Sequence, residues 1–272
     1  MNAKQIITGE KIQQLADIYI GHIDDLNYNP IIREQTNKHM NIDNITQSYN
    51  NPKIVFCYTH CIINLSKIIH FFENPFILIS HNSDFNIYET EEINQILNSN
   101  KLEKWYSQNV CFFHPKLFMV PIGLANSMWP HGNLRIFDEI PLLDLSTNKT
   151  KKTFFNFSIH TNMAIRQPCY DILHKQIEWL PNIEPTDNLK RLSTYEFCIC
   201  PEGNGVDCHR IWEALYLKVV PIMLRSPFTE TLVRNNIPLV LLDNWGDYIN
   251  IEKSLLYQDY IFGDYSIDNV LS

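Results

Sequence analysis

The residues best suited to do chemistry lie between Cys200 and Glu213, in the run Pro201-Glu202-Gly203-Asn204-Gly205-Val206-Asp207-Cys208-His209-Arg210 and the helix-like text that follows it. Two glycines without a Cβ let the backbone approach a ligand closely. The first turn of a helix offers N–H groups that attract anions, and Arg210 adds a planar fork of donors that fits phosphate oxygens. Arg210 and Glu213 stand three apart and share a helix face, so Glu213 can reach a ribose hydroxyl while Arg210 holds a diphosphate. Asp207 is placed to cap that helix, and Ile211, Ala214 and Leu215 to face a sheet. The same residues read as a turn, a cap and an i,i+3 ion pair on a solvated face. Their concentration directly behind a buried strand favours a ligand site.

Cys198, Cys200, Cys208 and His209 suggest zinc, but the chain has no second Cys-x-x-Cys. Cys198 and Cys200 also fall on one face of a strand, so core packing explains them better and no metal site is expected. Seven cysteines, an odd number, with no secretory leader pattern at Met1 to Gly21 fit a reducing compartment. The expected location is the cytoplasm. Thirty acidic against 22 basic residues give a net charge of −8, which argues against a broad nucleic-acid surface. No apolar run approaches the roughly 18 residues of a membrane span.

These residues need a scaffold that presents strand ends. With 272 residues, 45% of them hydrophobic, the chain can build one large or two small cores. Residues 1–50 read as polar and mixed, with a helical pattern over Gly9 to Ile20 and loop-like text after it. Strand-like runs follow at Lys53 to His60, Pro75 to Asp84, Val110 to His114 and Leu117 to Gly123, with helical spacing at Cys61 to Phe72 and Thr90 to Leu102. Arg135 to Lys152 reads as a linker. A second series has strands at Phe154 to His160, Tyr195 to Pro201, Val219 to Leu224 and Ile237 to Asp243, with helices at Arg166 to Leu180 and Asp207 to Lys218. Alternating strands and helices predict α/β architecture with parallel sheets. Two halves are expected, 1–145 and 146–255, with 256–272 packing back on the first half and a cleft between them.

The segment YEFCICPEGNGVDCHRIWEALYLKVVPIML, Tyr195 to Leu224, resembles the signature of exostosin-like glycosyltransferases. His114 to Asn133 is similar to text found between the halves of those enzymes. The resemblance implies a GT-B-like fold of two Rossmann-like domains and an inverting, metal-independent transfer of a sugar from a nucleoside-diphosphate sugar, UDP-sugar foremost, to a hydroxyl of a glycan acceptor. It implies donor binding by Glu202, Gly203, Asn204, Gly205, Asp207, His209, Arg210 and Glu213, and by Arg166, and it implies no cofactor. The absence of an Asp-x-Asp triplet agrees with a metal-independent reaction. The pattern departs at Lys218-Val219-Val220, where the family often has a Gly-Cys pair. Family members of this type occur in cells and in large DNA viruses.

Inversion needs a base opposite the leaving diphosphate, hence on the first half. Asp84 stands first and His60 second, with His81 and His114 behind them. Trp129, Trp105 and Tyr58 are candidates to stack on a sugar. The alternative from another class is a non-catalytic nucleotide-sugar or glycan-binding module, and a GT-B-like epimerase or phosphorylase is a third reading. The sugar, acceptor and oligomeric state stay open.

Overall fold

Ten strands, counted among the described residues, form two sheets, six-stranded and four-stranded, and every pairing is parallel. The computed structural model describes residues 3–28, 35–45, 51–140 and 149–271. The chain divides into two units: Ile7–Gly132 with Ser266–Ser272, and Asn133–Tyr265 with Met1–Ile6. The division falls at 132/133 rather than near 145, because Ile136 and Phe137 are buried and Phe137 packs its ring on Tyr216. Residues 141–148, in the middle of the expected linker, lie outside the described residues.

The first unit contains α1 (Gly9–Gln14), β1 (Ile18–Gly21), β2 (His39–Asn41), β3 (Ile54–Tyr58), α2 (Ile62–Ile68), β4 (Phe76–His81), α3 (Glu91–Leu97), β5 (Leu102–Ser107) and β6 (Leu117–Met119). The sheet order is β2-β1-β3-β4-β5-β6. Its central strands run apolar with little alternation, as strands covered on both faces do; Val55, Phe56, Leu78, Ile79 and Trp105 are fully buried. Thr8 caps α1 through the Lys11 amide, and Thr90 caps α3 through the Ile93 amide. The segment after residue 265 belongs to this unit: Ile267, Val270 and Leu271 pack on its core, and Tyr106 Oη donates to Leu271 O at 3.2 Å.

Several expectations shift here. The helical pattern over Gly9 to Ile20 splits into α1 and β1, because Asp17 Oδ2 accepts from the amides of Lys53 (2.8 Å) and Ile54 (3.0 Å) and ties the chain beside β3. The first fifty residues, expected as one helix followed by loop, therefore contribute two strands among the described residues. Val110 to His114 makes only an isolated bridge at Val110 and another at His114, since Asn109 turns the chain at φ 56°. The strand in that region is β5, whose opening Glu103-Lys104 resembles a helix tail.

The second unit contains α4 (Ile136–Glu139), β7 (Lys151–Phe154), α5 (Met163–Leu173), α6 (Pro185–Leu192), β8 (Tyr195–Ile199), α7 (His209–Tyr216), β9 (Val220–Leu224), α8 (Pro227–Arg234), β10 (Val240–Leu242) and α9 (Tyr248–Ile251), with sheet order β10-β9-β8-β7. β7 begins and ends earlier than expected, so Phe155 to Ser158 form the connection that leaves its carboxyl end. α6 and α8 were not expected, and α5 stops at Leu173. Residues 257–265 pack on this unit through Tyr257 Oη, which donates to Lys218 O at 2.6 Å, and through the Tyr265 carbonyl, which accepts from Tyr216 Oη at 2.7 Å. No helix among the described residues is long and apolar enough to cross a membrane.

Candidate functional sites at the strand ends

Ligands of open parallel sheets gather outside the carboxyl ends of the strands. In the second unit those ends, at β7 and β8, bring Arg166 and Arg210 to the loop Glu202 to Gly205. Arg166, 7% exposed, donates from Nε to Glu202 O (2.8 Å) and from Nη1 to Ser158 O (2.8 Å). Asn162 Nδ2 donates to Gly203 O at 2.7 Å, and Gly203 N–H to Gly205 O at 3.1 Å, so the loop is held from α5 and from within. A Cβ on Gly203 would lie 3.3 Å from Arg166 Nη2, which places that guanidinium edge directly under the loop. Asn204 is exposed and His209 half-buried at the start of α7.

Arg210 donates from Nε to Glu213 Oε2 (2.9 Å) and from Nη1 to Asn156 O (2.8 Å), with its guanidinium 5.4 Å from the Phe154 ring centroid. Burial works against its charge, and the Glu213 carboxylate together with Cys198 and Cys200 more than offsets that, raising its pKa. Burial lowers the pKa of Arg166 and the neighbouring Arg210 charge adds to the effect; burial raises that of Glu202. The i,i+3 pair read from the sequence is thus present. What surrounds it is a second guanidinium, a half-buried loop and the buried Cys198 thiol, which interacts with Arg210.

Asp207 does not cap α7. It is 1% exposed, and its Oδ1 accepts from the buried Trp212 Nε1 at 2.7 Å. Cys208, not Asp207, is the N-cap of α7, and no side chain caps that helix. Ile211, Ala214 and Leu215 are fully buried, as is Trp212. Cys198 and Cys200 are buried in β8 and its exit, and all seven cysteines are thiols.

The base and stacking candidates separate by environment. Asp84 is exposed on the loop after β4, a loop pinned by Gln108 Nε2 and Asn109 Nδ2, which donate to Ser83 O at 2.8 and 3.2 Å. His81 is 1% exposed with Nδ1 against Asn82 Oδ1 (3.1 Å) and Nε2 against Pro121 O (3.0 Å), so both its nitrogens are engaged. His114 Nδ1 accepts from the Lys116 amide at 3.1 Å. Trp105 and Tyr58 are core residues, 0% and 3% exposed, bonded to Ser80 Oγ and the Gln13 side chain, so neither can stack on a sugar. Trp129 is 47% exposed and lies parallel to His131.

His60 has company that sequence reasoning missed. In the order β2-β1-β3-β4 the chain leaves β1 toward β2 and β3 toward β4, to opposite sides, which makes the crevice at β1/β3 the topological switch point of this sheet. There His60 Nε2 lies 3.1 Å from Asp25 Oδ1, and Asp25 Oδ2 accepts from the His22 amide at 2.7 Å. The His22 ring stacks on His60 with centroids 6.0 Å apart, and His22 Nδ1 is 3.1 Å from Asp43 Oδ2. Hydrogen bonds to Asp25 and then Cys61 raise the His60 pKa to about 10, so the ring carries its proton at neutral pH. The signal for this cluster is His22-x-x-Asp25 directly behind a short strand, hidden while Ile18 to Ile20 read as the end of a helix. No protein-family model matches the chain, and no curated protein sequence matches it.

Proposed function

We propose that the chain is an inverting glycosyltransferase of exostosin-like, GT-B type, which moves a sugar from a nucleoside-diphosphate sugar, UDP-sugar foremost, to a hydroxyl of a glycan acceptor without a metal bridging the diphosphate. The observation that supports it is the pair Arg166 and Arg210 at the strand ends of the second unit, whose Nε and Nη1 groups are held by protein oxygens beside the glycine loop. Held this way, the guanidinium planes need little reordering when charge builds on the leaving diphosphate, which is the requirement for electrostatic stabilisation of a transition state. Glu202, Gly203, Asn204 and Gly205 form the loop over these groups, His209 and Glu213 flank Arg210 on α7, and Glu213 keeps Arg210 oriented. Asp84 is the proposed base, an exposed carboxylate on a pinned loop. His60 stands second, already committed to Asp25.

The test is a thermal-shift screen of the whole chain against UDP, GDP, CDP and TDP and their sugars, with and without magnesium. A ligand at a hundredfold excess over its Kd stabilises the folded state by about 2.7 kcal/mol, and one nucleotide class is expected to raise Tm in both conditions. No rise with any nucleotide overturns the donor site. A rise without transfer to acceptor sugars would leave the non-catalytic nucleotide-sugar-binding module, a reading favoured by the engagement of both His81 nitrogens.

A further inference from the structure

We propose that the crevice at β1 and β3 is a site for a zinc-type divalent cation, with His22, His60 and Cys61 as its protein ligands. One nitrogen from each imidazole and the Cys61 sulfur lie within 4.8 Å of one another, a spread that small side-chain adjustments close to the edge length of a metal-centred tetrahedron. The two ligand-bearing segments come from different strands. His22 follows β1, and His60-Cys61 sit in the 3-10 turn that follows β3. The switch point of the sheet therefore brings together what 38 positions of sequence separate.

The surroundings match what a metal-binding imidazole requires. Such a ring nearly always presents its second nitrogen to a carboxylate or carbonyl, which fixes its orientation and tautomer. Both rings here do so: His22 Nδ1 faces Asp43 Oδ2 and His60 Nε2 faces Asp25 Oδ1, each at 3.1 Å. The remaining nitrogen of each ring is the proposed ligand atom. Asp25 is itself positioned by the His22 amide, and its Oδ2 lies 4.0 Å from Cys61 Sγ. Two carboxylates thus hold two imidazoles, and one of them also reaches the thiol.

The donor set selects the cation. Two nitrogens and a sulfur suit a borderline-soft metal such as Zn²⁺, whereas Mg²⁺ and Ca²⁺ require oxygen ligands. Three protein ligands leave a fourth position. Cys61 is fully buried while the His22 and His60 side chains are 42% and 37% exposed, so that position opens toward solvent, as in zinc sites that admit water or substrate. Coordination takes Cys61 as thiolate and His60 as neutral imidazole, and their protons pass to solvent. The site stands on residues of the first unit only and does not depend on the nucleotide reading; if it is filled, His60 is a ligand and the base role rests with Asp84.

The test is a titration of the metal-stripped whole chain with Co²⁺, followed by displacement with Zn²⁺. One equivalent of cobalt is expected to produce a thiolate-to-cobalt charge-transfer band and the intense visible bands of a tetrahedral site, and one equivalent of zinc to abolish both. Cys61→Ser should lose the charge-transfer band, while Cys111→Ser keeps it. Because Cys61 is buried and its variant can fail to fold, His22→Ala, a change at a half-exposed side chain, gives the second arm: it should lose tight one-to-one binding with an unchanged circular dichroism spectrum. Asp25→Asn should weaken binding roughly 10- to 100-fold. Wild-type protein that retains no cobalt and shows no thiolate band overturns the proposal, and so does undiminished binding in folded His22→Ala.

Discussion

Replacing Arg210 separates two roles that the structure gives it. The Arg210 and Glu213 side chains are 19% and 16% exposed, close to buried, and removing one partner of a buried ion pair costs about 3–5 kcal/mol because the other charge is stranded. The residual exposure puts Arg210→Met near the lower end, at about 3 kcal/mol, with roughly a further 1 kcal/mol for the donor lost to Asn156 O. Arg210→Met/Glu213→Gln removes both charges, so about 2 kcal/mol should return, within the range of couplings between contacting residues. Nucleotide affinity should not return. Loss of a hydrogen bond to a charged group is worth about 1.5–3 kcal/mol, or roughly 10- to 150-fold in Kd. Urea unfolding of wild type, both single variants and the double variant gives the first quantity, and calorimetric titration with the nucleotide diphosphate that scores in the thermal screen gives the second. Wild-type affinity in the double variant refutes the phosphate role of Arg210. A double variant no more stable than Arg210→Met refutes the stranded-charge argument.

Lys149 Nζ donates to Ser193 O (2.9 Å) and Leu217 O (2.8 Å), and burial lowers its pKa to about 7. Its unfolded value is higher, so the unfolded chain binds the extra proton between the two, and stability should rise with pH from about 7 to 10 by about 1.4 kcal/mol per unit relative to Lys149→Met; a pH-independent difference between the two proteins would dismiss this. Ser226→Ala should cost about 1 kcal/mol in urea unfolding, since it breaks the reciprocal cap in which Ser226 Oγ accepts from Thr229 N–H and Thr229 Oγ1 from Ser226 N–H; an unchanged midpoint would contradict it. Lys218 ends α7 in the left-handed region at φ 55°, with its amide on Leu215 O and the Val219 amide on Ala214 O, the Schellman geometry that favours glycine. Lys218→Gly should therefore raise stability by about 1 kcal/mol, and a lower Tm would show that the lysine's contact over the Phe262 ring outweighs the backbone strain.

The α/β plan was legible because buried parallel strands such as Phe76–His81 and Tyr195–Ile199 are nearly unbroken apolar runs between turn residues. β1 and β2 were not, being four and three residues long and too short to show a period. Their loss concealed His22 and Asp25 as partners of His60. Around Arg210 the sequence showed which residues sit at the strand end but not their directions. Asp207 turns inward because the buried Trp212 indole N–H needs an acceptor, a demand set by tertiary packing that spacing does not carry. Ser226-Pro227-x-Thr229 was a readable helix start that composition alone obscured. Asn82, Asn109 and Asn236, all at positive φ, show part of what the abundant asparagine does: it supplies left-handed turns in a chain with only 8 glycines.

The chain passes from one unit to the other at 6/7, at 132/133 and again at 265/266, so neither unit is a single stretch of sequence. A cut at residue 132 would not release two interchangeable cassettes. The piece 7–132 would leave the Tyr106 hydroxyl without Leu271 O and expose the apolar surface now covered by Ile267, Val270 and Leu271. A recombination event that imports a new first half must therefore import a matching closing segment as well, and chimeras of this chain should be built with their junctions in pairs.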